Sequence, residues 1–143
     1  MVRKIHSVDT GATGNNRKDC AVRALANAAD IPYQEALECL NKHGRKDDKG
    51  TMPWTMIDAY KEYGFECKMV FGKTRNANYL GFTHPEFPRN TNNMTLGNLM
   101  QRLHKHKEYI VCISGHALAV VGGNIVDTFD NRAQKQVWCV FSR

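Results

Sequence analysis

Residues 114–130 constrain the fold more than any other part of the chain. They contain two apolar runs of strand length that flank a Gly-Gly pair. Glycines between two such runs are typical of a β-hairpin, because tight hairpin turns need residues that adopt positive φ. The first run opens with His116 and the second is followed by Asp130. The sequence therefore predicts a hairpin that holds an imidazole near a carboxylate, which is how a general base is oriented.

Helical patterns fill the first half of the chain and strand patterns fill the second. Apolar residues recur at helical spacing after Asp19, Pro32 and Pro53, and again from Leu96 to Leu103 behind a capping Thr95. Strands are expected over 65–71, 109–114, 115–121, 125–129 and 136–141, with a short edge strand over 2–8 and a long loop over 72–93. Helices followed by antiparallel strands indicate the α+β class. A chain of 143 residues fits a single domain over 1–143.

The net charge restricts the kinds of partner that we expect for this protein. The net charge is +6, from 20 basic and 14 acidic residues, and it is spread along the chain. This surface favours acidic partners. Nucleic acid is a less favoured partner than a protein or peptide, because no aromatic-basic module accompanies the charge.

No apolar run is long enough for a membrane span, and the first residues do not resemble a secretory signal. A cytoplasmic protein is expected, and the sequence leaves its oligomeric state open.

The five cysteines indicate a reduced protein. They lie at positions 20, 39, 67, 112 and 139, inside periodic segments and without a Cys-x-x-Cys pair. This distribution is typical of an intracellular chain in which thiols act as small buried residues. No His/Cys cluster has the spacing of a zinc site, so neither a metal nor a cofactor is expected.

One of these thiols has a special position. Asp19 is a favoured N-cap residue, and Cys20 follows it as the first residue of the expected helix. The positive end of the helix dipole and the unpaired backbone N–H groups there stabilise a thiolate, which is the nucleophilic form. The same N–H groups can bind an oxyanion. The alternative for Cys20 is an inert buried residue, and the alternative for His116 is a structural histidine.

The register of the hairpin bears on the choice of carboxylate. A three-residue loop over 122–124 would pair Val121 with Ile125 and set His116 across from Asp130. A two-residue turn would shift this pairing by one position, and Asp130 would stay near His116 in either register. Asp127 lies three residues closer to the turn than Asp130, about 10–13 Å from His116 at strand rise. The candidate orienting residues, in order of preference, are Asp130, Asp127 and Asn131.

Short motifs in both halves of the chain resemble a known family. Residues 19–26 read DCAVRALA, and residues 95–97, 109–111, 114–116 and 125–130 read TLG, YIV, SGH and IVDTFD. The order and spacing are similar to the DCxxRAxA and SGHxxAVxxGxIYDTWD segments of small bacteriophage and bacterial members of the papain-like cysteine peptidases. The resemblance implies a papain-like fold, with N-terminal helices packed on a C-terminal antiparallel sheet. It also implies a phage origin, and hence the host cytoplasm as the location.

The resemblance also implies roles for individual residues. Cys20 would be the nucleophile, His116 the general base and acid, and Asp130 the orienting acid. Papain-like enzymes carry an oxyanion glutamine six residues before the cysteine, where this chain has Gly14. The expected substitutes, which offer a side-chain amide, are Asn16 and Asn15.

The sequence is consistent with two functions of different classes. The first is a thiol hydrolase, similar to a cysteine peptidase, that acts on a peptide, isopeptide or amide bond of a protein or peptide substrate. Deamidation and acyl transfer would use the same machinery. The second is a catalytically inactive papain-fold phage protein that binds a host protein or nucleic acid.

Overall fold

The computed structural model describes residues 19–46, 51, 53–70, 94–113, 116–126 and 133–143. Within these ranges the helices are α1 (Cys20–Ala29), α2 (Tyr33–Lys42), α3 (Pro53–Lys61) and α4 (Leu96–Met100). The strands are β1 (Glu66–Val70), β2 (Met94–Thr95), β3 (Glu108–Ile113), β4 (His116–Val121), β5 (Asn124–Val126) and β6 (Gln136–Ser142). Helices combined with an antiparallel sheet confirm the α+β class. The expected edge strand over 2–8, the loop over 72–93 and positions 127–129 lie outside the described residues.

The first helix forms where the apolar spacing predicts it. Its inner face is lined by alanine, valine and leucine, and both Val22 and Leu25 are fully buried. The helix ends at Ala29 because Asp30 adopts a left-handed conformation, with φ of 56°, and its N–H returns to the carbonyl of Ala26. Pro32 then opens α2 in an extended conformation.

The strands form one antiparallel sheet in the order β1-β6-β3-β4-β5, with β2 also paired to β6. The β4–β5 hairpin has the shorter of the two turns that the sequence left open. Val121 pairs with Asn124, so that Gly122 and Gly123 alone form the turn. Their φ angles are 62° and 80°. A two-residue turn of this kind needs positive φ at both central positions, and two consecutive glycines adopt it without steric cost.

The two faces of the sheet are covered by different helices. Along β4, Ala117 and Ala119 belong to the buried cluster formed with α1, α2 and α3, whereas Leu118 and Val120 belong to a second cluster with α4. This alternation is the normal consequence of a strand buried on both faces. Helix α1 packs directly on β4. Because the residues on both sides of this contact are largely alanines, the helix lies close to the strand.

The fourth helix is shorter than its apolar pattern predicts. The pattern extends to Leu103, but α4 ends at Met100. The N–H of Arg102 bonds the carbonyl of Leu99, which is the tighter i→i−3 spacing, so the chain has already left the α-helix there. Leu103 still packs against the second cluster from outside the helix.

The cap of this short helix gives a first testable prediction. The Thr95 hydroxyl accepts a hydrogen bond from the backbone N–H of Asn98 at 3.2 Å. Thr95→Ala should lower the free energy of unfolding by about 1 kcal/mol, because that N–H loses its partner. Urea denaturation of this variant and of Thr95→Ser, which keeps the hydroxyl, measures the effect. An equal loss in the serine variant would mean that the cap bond is not its cause.

None of the helices in the described part of the chain has the length and apolar character needed to cross a membrane.

Candidate active site

The first residue of α1 and the first residue of β4 meet at one end of the sheet. The Cys20 side chain forms a hydrogen bond with the imidazole of His116 and another with the backbone of Ala117. The packing of α1 on β4 creates this contact, because it sets the start of the helix beside the start of the strand. Cys20 is partly exposed, as is His116. The structure thus brings together two residues that are 96 positions apart in the sequence (116 − 20 = 96).

The surroundings of Cys20 favour its thiolate form. Burial alone would raise the pKa of the Cys20 thiol, since it removes water from the charged form. The hydrogen bonds from His116 and from the backbone of Ala117, together with the positive charges of His116 and Arg23, outweigh this effect and lower the pKa below its ordinary value. A lowered pKa at a helix N-terminus is the condition under which a cysteine becomes a nucleophile.

Two other thiols show the opposite behaviour. Burial raises the pKa of Cys39, and the charge of Glu62 raises it further. Burial also raises the pKa of Cys139, which is completely enclosed in the sheet beside Cys112 and Cys67. Both thiols are therefore neutral in the free protein, as expected of buried cysteines.

The residue before Cys20 plays a different part from the expected N-cap. Asp19 occupies the N-cap position, but its side chain makes no capping bond. Its carboxylate instead pairs with Arg23 at 2.9 Å and accepts a hydrogen bond from the Tyr33 hydroxyl at 2.9 Å. Asp19 is only 5% exposed, and each of its two carboxylate oxygens has a polar partner, as a buried charge requires. This pairing fixes the start of α1 to α2 and sets the positive charge of Arg23 near the Cys20 sulfur.

Tyr60 anchors the same turn of α1 from the opposite side. Its ring is fully buried and packs edge-on against Phe141, with 5.0 Å between the ring centroids. Its hydroxyl donates a hydrogen bond of 2.8 Å to the carbonyl of Ala21, next to Cys20. Sequence reasoning missed this role, since it assigned Tyr60 only to the apolar stripe of α3. A tyrosine rather than a phenylalanine at a core position was the available signal.

The histidine side of the site is held by the sheet. His116 pairs with Ile113 across the β3–β4 ladder, and the Trp138 indole N–H donates to the Ile113 carbonyl at 3.2 Å. The Asn27 side chain reaches from α1 to the carbonyl of Val126 at 3.5 Å, at the end of β5. The elements that carry the cysteine and the histidine are therefore linked at several points.

Five other predicted site residues lie outside the described residues: Asp130, Asp127, Asn131, Asn16 and Asn15. The observed turn is the two-residue alternative, since Val121 pairs with Asn124 rather than with Ile125. Asp130 as the orienting acid, with Asp127 and Asn131 as alternatives, stays a prediction.

Comparisons with known proteins identify no relative of this chain. No family model matches the chain, and neither a curated protein nor a solved structure matches it.

Proposed function

We propose that this protein is a thiol hydrolase of papain-like type, in which Cys20 is the nucleophile and His116 is the general base. The observation that carries the proposal is the hydrogen bond between the Cys20 thiol, at the N-terminus of α1, and the His116 imidazole. A nucleophile within hydrogen-bonding reach of a base is the minimal arrangement for covalent acyl chemistry. The α+β fold supports it, because a helix on one face of an antiparallel sheet presents the cysteine to a histidine on a strand.

In this mechanism His116 accepts the proton of Cys20, and the thiolate attacks the carbonyl carbon of a peptide, isopeptide or amide bond. The negative charge moves to the carbonyl oxygen, where the backbone N–H of Cys20 is the first expected donor. The His116 imidazolium then protonates the leaving nitrogen, and a thioester forms as the carbon–nitrogen bond breaks. Water, activated by the neutral His116, attacks the thioester and restores the free thiol.

The remaining roles follow from the family resemblance. Asp130 orients the His116 ring, with Asp127 as the alternative acid, and a side-chain amide of Asn16 or Asn15 supplies a second oxyanion donor. The substrate is a protein or peptide. Attack of an amine instead of water on the thioester would give acyl transfer, and attack on a side-chain amide would give deamidation.

Alkylation by iodoacetamide tests the dyad without a known substrate. The rate at each cysteine is measured as a function of pH by peptide mass spectrometry. Because iodoacetamide reacts with the thiolate, the lowered pKa of Cys20 should move its alkylation midpoint to lower pH than that of an ordinary thiol. N-acetylcysteine in the same reaction is the reference for an ordinary thiol. The His116→Ala variant should shift the Cys20 midpoint upward, since the bond and the charge that favour the thiolate are gone.

The His104→Ala variant is the matched control, because His104 is exposed and lies in the turn before β3. It should leave the Cys20 midpoint unchanged. A Cys20 midpoint equal to that of the reference thiol, or one that does not change in His116→Ala, would overturn the proposal. The inactive, basic binding protein would then be the better account of the fold.

A further inference from the structure

A second group of side chains with donor atoms lies on α2 and after α3, and the proposed dyad takes no part in it. The sulfur of Cys39, a ring nitrogen of His43 and a carboxylate oxygen of Glu62 all lie within 4.8 Å of one another. Cys39 and His43 are four positions apart, so the end of α2 presents them on one side. Glu62 reaches them from the turn that follows α3.

The three donor atoms suit one class of ligand. Thiolate, imidazole and carboxylate are the donors that bind Zn²⁺, at distances of about 2.0–2.3 Å. In a tetrahedral site such bonds set the donors about 3.3–3.8 Å apart, so the observed cluster needs only small side-chain movements to close around an ion. Binding of the ion releases the proton of the Cys39 thiol, and the resulting thiolate and the carboxylate then carry two negative charges, which match a divalent cation.

The contacts around Glu62 orient it toward the cluster. One carboxylate oxygen contacts the Nε2 atom of His43, while the other accepts a hydrogen bond of 2.8 Å from the Lys42 ammonium group. An ion can therefore replace the direct contact between His43 and Glu62 without disturbing Lys42. A partner on the second oxygen is typical of carboxylates that bind metals, because it fixes their direction.

The three residues of the cluster differ in burial, and exposure increases from Cys39 through His43 to Glu62. Cys39 is 6% exposed and its thiol donates a hydrogen bond to the carbonyl of Ala59, whereas the side chains of His43 and Glu62 are 25% and 38% exposed. The Cys39 sulfur is therefore shielded from water, whereas the donor atoms of His43 and Glu62 are accessible to it. Such a site gives an ion a route of entry and leaves a fourth position for a water molecule.

We propose that Cys39, His43 and Glu62 bind a zinc ion, with water as the fourth ligand, and that the ion ties the end of α2 to the end of α3. The sequence spacing did not indicate this site, because the third ligand comes 19 residues after His43. The ion would stabilise the packing of α2 against α3. The inference does not depend on the activity of Cys20.

Cobalt substitution tests the site. Co²⁺ is added to the reduced, metal-free full chain, and a sulfur-to-cobalt charge-transfer band in the near ultraviolet reports thiolate ligation. The Cys20→Ala variant is titrated in parallel, since Cys20 and His116 also offer a sulfur and an imidazole. We expect one Co²⁺ per chain in both proteins, displacement by one Zn²⁺, and a higher Tm with Zn²⁺ than with a chelator.

The variants His43→Gln and Glu62→Gln remove one ligand each at partly exposed positions and leave the core cysteine in place. Both should weaken Zn²⁺ binding at least about 100-fold, judged by competition with a chromophoric chelator. Glu38→Gln, an exposed carboxylate change on the same helix, is the control and should bind as the wild type does. Absence of the band, its loss in Cys20→Ala, or its persistence in His43→Gln would overturn the proposal.

Discussion

Replacement of Cys20 by alanine is expected to reduce turnover to background, a loss of about 10⁶-fold if the chain behaves as other nucleophile–base enzymes do. The reason is that the acyl intermediate of the proposed mechanism forms on the Cys20 sulfur, which the alanine side chain lacks. The assay exposes a proteome-derived peptide mixture to the wild type and to Cys20→Ala, and mass spectrometry detects new termini, deamidated residues and transferred acyl groups. Products that appear equally with both proteins would contradict the mechanism.

The His116→Ala variant refines this experiment. Loss of the general base should lower the rate by about 10²–10⁴-fold, less than loss of the nucleophile. The pH profile gives a second readout. In the wild type the rate should already rise at low pH, since the pKa of Cys20 is lowered and its thiolate persists there. In His116→Ala the rise should move to higher pH, where an unassisted thiol ionises.

The largest expected effect on stability lies at Tyr60. Tyr60→Ala should lower the free energy of unfolding by about 3–5 kcal/mol, because it empties a fully buried ring site against Phe141. Tyr60→Phe keeps the ring but removes the donor to the Ala21 carbonyl, and should cost about 1–3 kcal/mol. Burial raises the pKa of Tyr60 far above its ordinary value, so the hydroxyl stays a neutral donor at all working pH values. Urea denaturation gives both numbers.

Tyr63→Phe is the matched control for the hydroxyl. The Tyr63 hydroxyl donates to a carboxylate oxygen of Glu35 at 2.7 Å in an exposed pair. Water replaces that partner readily, so this variant should change stability by less than about 0.5 kcal/mol. A Tyr60→Phe variant that is no less stable than Tyr63→Phe would mean that the bond to Ala21 does not hold the start of α1. The alkylation midpoint of Cys20 in Tyr60→Phe then reports whether the anchor also positions the thiol.

Local patterns were sufficient for the elements that carry the dyad. The spacing of Val22 and Leu25 predicted α1, and the position of Cys20 at its start followed from the neighbouring Asp19. The short apolar run after His116 predicted β4 within one residue. These features depend on side-chain period and helix ends, both of which are encoded within a few residues.

Such local patterns did not predict the contacts between distant segments of the chain. The hydroxyls of Tyr33 and Tyr60 are used in polar contacts across the core, which helical spacing does not reveal. The sequence left a two-residue and a three-residue hairpin turn open, and strand pairing shows that Gly122 and Gly123 form the turn without Asn124. The cluster at Cys39, His43 and Glu62 depends on how α2 meets α3. Each of these features is set by packing between elements rather than by local sequence.

The position of β6 has a consequence for synthesis on the ribosome. Residues 136–142 form the strand that pairs with β1, β2 and β3, and so joins the two parts of the sheet. While these residues are still being translated, β1 and β3 each expose an unpaired edge, and such edges are prone to aggregation. The cysteine and the histidine emerge earlier, but the sheet beneath them is complete only after β6 has inserted. A nascent chain should therefore stay inert and protease-sensitive until that late step.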